Sequence, residues 1–264
     1  MKLNLLSILA CPVCGGDLKF AVLEAYPRHD AEIEDAVLAC KLCAREYPVT
    51  GGVPRLRPPS PVARATAKTR EAFGWEWLRY PGSLPGDKET FLEETLLAPH
   101  EFEGKLVLDA GCGMGRYSAV ALSLGAEVVA VDMSESLIRV AELAKNQPKL
   151  HPVEADLLHP PFKKGIFDVA YSQGVLHHTA DTHAAFKAVS ALIKPRGLLS
   201  VWLYGRPGDT PTSRRTRLSP AATGSRATAA WRGGSSFCAT FSATSSGRSR
   251  RACPSLSSTR FATR

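Results

Sequence analysis

The chain has 264 residues, of which 44% are hydrophobic and 22% charged, with a formal charge of +8. That length and apolar content supply one substantial domain plus a small one. The charge is uneven: residues 1 to 205 carry 22 basic and 24 acidic side chains, while 206 to 264 carry 11 Arg, no Lys and one Asp, which argues against an extended phosphate-binding footprint on the body of the chain. No run of about 18 apolar residues occurs, so no membrane-crossing helix is expected, and the expectation is a cytoplasmic protein without a membrane partner.

Residues 1–58 read as a first, small domain, closed by Gly51-Gly52-Val53-Pro54 and by the Pro58-Pro59-Ser60-Pro61 linker signal. Ile8-Leu9-Ala10-Cys11 resembles a lipoprotein cleavage site. The apolar stretch before it is short and broken by Asn4 and Ser7, and Cys11 has a better use. Cys11-Pro-Val-Cys14 and Cys40-Lys-Leu-Cys43 are two CxxC pairs separated by 25 residues. Each pair places two thiolates on one tight turn, and two such turns complete a tetrahedral sulfur shell suited to Zn2+. Disulfides would need an export signal, and a redox CxxC would need one pair beside a βαβ unit. With four protein ligands such a site is closed to water and substrate, so the zinc would be structural.

The stretches Leu9 to Leu18 and Cys43 to Leu56, with Tyr47-Pro48-Val49 and Gly52-Val53-Pro54, resemble the small zinc-ribbon proteins that activate tRNA and release-factor methyltransferases. The resemblance implies a zinc ribbon fused to the domain it serves, as intramolecular support or for acceptor docking.

From 62 to 205 apolar runs alternate with helical stretches, the pattern of an α/β fold with a doubly wound, mostly parallel sheet. Aromatic and apolar residues at Phe73 to Trp77 and Phe91 to Leu97 lead in, packed either across a cleft or over the sheet. Strands are expected near 106–110, 127–131, 150–154, 167–171 and 198–204, and helices near 115–124, 134–145 and 181–193. Gly111, Gly113 and Gly115 follow the first of these strands and open a helix, so bare backbone amides face a ligand there. A dinucleotide fingerprint would need glycine at 116, which is Arg. Asp109 precedes the glycines, where it can order the loop and stand near a cationic amino-acid end. Asp132 ends the second strand, 21 residues past Gly111, where a carboxylate accepts ribose hydroxyls. Asp156 follows the third strand, placed for an adenine amino group or as a simple strand-end cap. Three carboxylates and no phosphate-binding Lys fit a sulfonium ligand better than a pyrophosphate. Cys112 reads as a small packed residue and Asp168 as structural.

Val107 to Gly115, Val131-Asp132-Met133-Ser134, Ala155-Asp156-Leu157 and Phe167 to His178 resemble the successive motifs of class I S-adenosylmethionine-dependent methyltransferases of the Rossmann type. The resemblance spans residues 104 to 204. It implies S-adenosylmethionine as cofactor, Met133 and Leu157 around the adenine, and Ser172 and Gln173 beside the methionine part. The sulfonium methyl is already activated, so in-line placement of an acceptor is the main requirement. His177 or His178, with His183 nearby, can serve as general base or line the pocket. The expected acceptor is a small molecule or metabolite. RNA, with the ribbon as a docking module, and a non-catalytic cofactor-binding or activator role are the alternatives, and the oligomeric state is not legible.

Two departures stand out. Lys194-Pro195-Arg196-Gly197 has Arg where the family's turn has Gly, which a left-handed position would resist. Residues 206–264, with 21 Ser or Thr in 59 positions, show no version of the helix and two strands that normally follow. They read as a disordered tail or, by their Arg/Ser/Thr/Ala bias, as a frameshift product beginning between Tyr204 and Asp209. One uninterrupted frame encoding this tail in relatives would overturn the frameshift reading. On this reading the sheet is truncated after its fifth strand and Leu198 to Tyr204 is an open edge.

Overall fold

The computed structural model describes residues 1–23, 32–58, 71, 75 and 83–203, and the backbone of 204, 225–232 and 236–243. Four short strands come first: β1 (Leu18–Leu23), β2 (Ala36–Cys40), β3 (Glu46–Thr50) and β4 (Val53–Leu56), paired antiparallel in that order. The larger unit follows as α1 (Asp87–Thr95), β5 (Leu106–Ala110), α2 (Arg116–Ser123), β6 (Glu127–Asp132), α3 (Leu137–Ala144), β7 (Leu150–Ala155), β8 (Phe167–Gln173), α4 (Thr182–Ser190), β9 (Ile193–Tyr204), β10 (Ser225–Arg232) and β11 (Ser236–Ala243). One sheet runs through both units in the order β1-β2-β3-β4-β7-β6-β5-β8-β9-β11-β10.

The five strands expected from the periodicity are all present, and the pairings β4-β7, β7-β6, β6-β5, β5-β8 and β8-β9 are all parallel. They are nearly continuous apolar runs, as strands covered on both faces require. Their side chains divide by the two-residue repeat of a strand. Leu108, Ala110, Val129, Val131, Val153 and Ala155 join a cluster with α4 and the ribbon. Val107, Val128, Ala130, Val169 and Tyr171 join another beneath α1, α2 and α3. Phe91 on α1 packs against Phe102, Tyr117 and Tyr171 at ring-centroid distances of 5.3, 5.1 and 4.9 Å, so this helix covers the sheet. Of the Phe73 to Trp77 stretch only Trp75 falls among the described residues.

The two units are fused through the sheet. β4 lies parallel to β7 with Arg55 opposite Glu154 and Leu56 opposite Ala155, and Arg55 and Arg57 both ion-pair with the buried Glu154 carboxylate. On the other side of the seam Lys2 Nζ donates to the carbonyls of Ala144 and Leu150, at 3.2 and 2.9 Å, placing a cation at the C-terminal end of α3. Ala10 N donates to Pro161 O at 2.8 Å and Lys163 N to Ile8 O at 3.0 Å. Met1, Leu5, Leu9, Leu38 and Leu56 share one apolar cluster with Leu108 and Val131.

Two expectations are corrected. The helix expected to reach 193 ends at Ser190, and β9 starts at Ile193 rather than at 198. Its register against β8 jumps, with Phe167 opposite Ile193 and Val169 opposite Leu198. Arg196 occupies the left-handed region there at φ 70°, and this irregularity hid the strand's first half from a period-two reading. Nor is Leu198 to Tyr204 an open edge or the sheet truncated at β9. The backbone of β11 pairs antiparallel with it from Ser236 opposite Tyr204 to Ser242 opposite Leu198, and β10 pairs with β11. A row of unpaired backbone donors and acceptors recruits a strand without a strongly apolar partner sequence. The rest of 206–264, on which the readings of a disordered tail and of a frameshift fall, lies outside the described residues.

Candidate functional site

The four cysteines converge. The Sγ atoms of Cys11, Cys14, Cys40 and Cys43 all lie within 4.8 Å of one another, with Cys11 to Cys43 at 3.7 Å and Cys14 to Cys40 at 3.4 Å. A tetrahedral shell with metal–sulfur bonds of about 2.3 Å has sulfur–sulfur edges of about 3.8 Å, so the thiolate set fits a zinc ion. Around it, Leu42 N lies 3.4 Å from Cys40 Sγ and the Tyr47 hydroxyl 3.2 Å from Cys11 Sγ, the outer contacts that orient ligand sulfurs.

The second candidate lies where the strand order reverses, between β5 and β8, the position at which open α/β sheets form a crevice beyond their strand ends. The turn after β5 enters it. Gly111 has φ 91°, and a Cβ there would stand 2.4 Å from Val175 Cγ1, so only glycine passes between β5 and the segment after β8. The amides of Gly111 and Cys112 both donate to Val131 O, at 2.8 and 2.9 Å. Gly113 N donates to Asp132 Oδ2 at 2.8 Å, and Ser134 N to Asp132 Oδ1 at 2.7 Å. Asp132 therefore links the glycine turn to the end of β6, and its carboxylate retains further lone pairs for a ligand.

Asp109 is only 3% exposed. Its Oδ2 accepts from the hydroxyls of Ser118, at 2.6 Å, and Tyr171, at 2.9 Å. Burial pushes its carboxyl up to about 7, against the pull of those two donors, and the nearby Asp132 adds to the rise. Asp156 accepts from Leu158 N at 2.9 Å, which closes its own turn beside the buried Leu157, and Met133 is half-buried next to Asp132. The Ser172 hydroxyl is turned into the sheet, donating to Ala110 O at 2.8 Å. Gln173 Nε2 lies 3.3 Å from Ser200 Oγ, and its buried Oε1 has no partner among the described residues.

After β8, Leu176–His178 form one turn of 3-10 helix. The rings of His177 and His178 lie 4.0 Å apart. Burial first, and the neighbouring His178 second, pull His177 down to about 4; burial also lowers His178. Both imidazoles are thus neutral near pH 7, the state a general base needs. His183 is exposed on α4. Cys112 is buried, which pushes its thiol up and leaves it a packing residue. Asp168 takes Leu106 N and Lys194 Nζ, at 3.1 and 2.9 Å, a structural tie between strands. Ser118 and Tyr171 escaped the sequence reading because Tyr171 meets Asp109 across 62 positions of chain, and nothing local marks either hydroxyl. Arg116 likewise pairs with Asp87, its Nε 2.7 Å from Oδ1, pinning α1 to the glycine turn.

Residues 108–201 match the methyltransferase domain family, and residues 2–52 match the Trm112p-like protein family. The chain carries a class I S-adenosylmethionine-dependent methyltransferase domain behind an N-terminal Trm112p-like zinc-ribbon domain with a four-cysteine cluster. Over 111 residues it is 37% identical to the ubiquinone biosynthesis O-methyltransferase of Cereibacter sphaeroides, covering 40% of this chain and 44% of that protein. It is 39% identical over 101 residues to the protein of the same name from Coxiella burnetii, covering 37% and 42%. The chain thus spans less than half the length of the curated relatives it matches. A solved S-adenosylmethionine-dependent methyltransferase from Mesorhizobium loti aligns with a TM-score of 0.40 and 28% identity, over 46% of this chain and 54% of that one.

Proposed function

We propose that the protein transfers a methyl group from S-adenosylmethionine to a small molecule bearing an ionisable hydroxyl. The observation that carries this reading is the convergence, at the reversal of strand order, of a glycine turn with two carboxylates, Asp109 and Asp132, with no phosphate-binding Lys beside them among the described residues. The cofactor would supply an electrophilic sulfonium methyl, so the chain's own residues need mainly to bind, align and exclude water. Gly111, Gly113 and Gly115 let the backbone approach the ligand, and Asp132 accepts the ribose hydroxyls. Met133, Asp156 and Leu157 enclose the adenine, and Ser172 and Gln173 border the methionine part. His177 or His178, neutral at pH 7, takes the acceptor's proton. The hydroxyl acceptor is supported by the O-methyltransferase names of the relatives. Cys11, Cys14, Cys40 and Cys43 hold a structural zinc.

Calorimetry with S-adenosylmethionine, followed by transfer of a labelled methyl group to a panel of phenolic and other hydroxyl acceptors, tests this directly. Saturable binding and a labelled small-molecule product are expected. Binding with no transfer to any acceptor would instead identify a cofactor-binding protein.

A further inference from the structure

We infer that Tyr171 and Ser118 are positioning residues that hold Asp109 for the cationic amino-acid end of the cofactor. This rests on the methyltransferase reading and deepens it. Both hydroxyls converge on one oxygen, Oδ2, from different elements: Ser118 from α2 at 2.6 Å and Tyr171 from β8 at 2.9 Å. No protein donor among the described residues reaches Oδ1. The carboxylate is therefore clamped by one oxygen, Oδ2, and on this inference Oδ1 is the atom that meets the ammonium group.

The clamp is itself rigid. Tyr171 is fully buried, with Phe91 set edge-on to its ring at 4.9 Å and 76°, and Ser118 is buried in the first turn of α2. Burial works against ionisation of Asp109, and the two hydrogen bonds donated to the charged form offset part of that penalty. Removing one donor makes the carboxyl a weaker acid at the same depth. The attraction for an ammonium group then falls, while contacts to adenine and ribose, which lie on Asp132 and Asp156, stay in place.

The test is binding of two ligands to the full chain and to Tyr171→Phe and Ser118→Ala. S-adenosylmethionine has the amino-acid end, and 5′-methylthioadenosine lacks it. Loss of one hydrogen bond to a buried charged group weakens binding about 10- to 100-fold. That loss is expected for S-adenosylmethionine in each variant, with 5′-methylthioadenosine changed less than about 2-fold. Equal weakening of both ligands, or of neither, would overturn the inference while leaving cofactor binding intact. Failure of the unaltered chain to bind either ligand would overturn the methyltransferase reading itself. If Tyr171→Phe does not fold, Ser118→Ala gives the same discrimination, because that residue lies on a different element.

Discussion

Arg55, on the last strand of the ribbon, stands in register with Glu154 on the third parallel strand of the methyltransferase sheet and forms an ion pair with it. Glu154 is buried and also holds Arg57, whose Nε is 2.7 Å from Oε1. Glu154→Ala removes the shared partner of both arginines, which are exposed enough to return to water. A loss of about 1–3 kcal/mol in folding stability is expected, read as a lower urea midpoint with unchanged slope.

Through the same seam, loss of a zinc ion held by the four cysteines is expected to be a global event. The cysteine cluster fixes β2 and the turn before β1, and the ribbon's apolar side chains continue into the main core. Calorimetric melting should show one transition with metal bound, shifted downward as a whole by a chelator or by Cys14→Ser. Separate melting of two units, with the larger unaffected, would refute the coupling.

Arg196 at φ 70° carries strain that glycine would not. The left-handed conformation costs an ordinary residue about 1–2 kcal/mol, and glycine's freer unfolded chain returns about 0.4–1 kcal/mol of that. Arg196→Gly should therefore stabilise the fold by about 0.5–1 kcal/mol, measured by urea unfolding.

Asp109 ties stability to pH. Its carboxyl titrates at about 7 in the folded protein and at its ordinary 3.8 when unfolded. Between those values the folded chain keeps a proton that the unfolded chain releases, so this contribution is full below pH 4 and is lost as pH rises to about 7. The stability difference between the unaltered protein and Asp109→Asn should fall across that window. A flat difference would show that the carboxyl is not raised.

Replacing His177 or His178 by Ala should slow the methyl-transfer step by 10²- to 10⁴-fold in the variant that loses the base, with little change in cofactor affinity. Single-turnover rates unchanged in both variants would remove the pair from the mechanism. Since burial and its neighbour hold His177 near 4, a profile governed by His177 should lose rate only as pH falls toward 4, well below an ordinary histidine's range.

Local signals carried much of this architecture. The strand cores of β5 to β8, the glycine turn and Asp132 were legible because each is written in a few contiguous residues: valine-rich runs, positive-φ glycines, a carboxylate at a strand end. The cysteine spacing gave the cluster. What was hidden depends on long-range pairing. β4 joins β7 through only two register pairs, too few to leave a pattern. Tyr171 and Ser118 look like ordinary core and helix residues until the fold places both beside Asp109. The first half of β9 was masked by the Pro195-Arg196-Gly197 irregularity, and β10 and β11 by sequences with little apolar alternation.

Where β4 lies alongside β7 the ribbon also acts as a cover. β7 is the strand of the larger unit that borders the ribbon, and without β4 its far side would offer a row of free amides and carbonyls to any extended peptide. A chain whose thiolate cluster comes apart loses that cover together with the apolar surface behind it. Metal starvation would therefore be felt first as insolubility, with molecules pairing edge to edge.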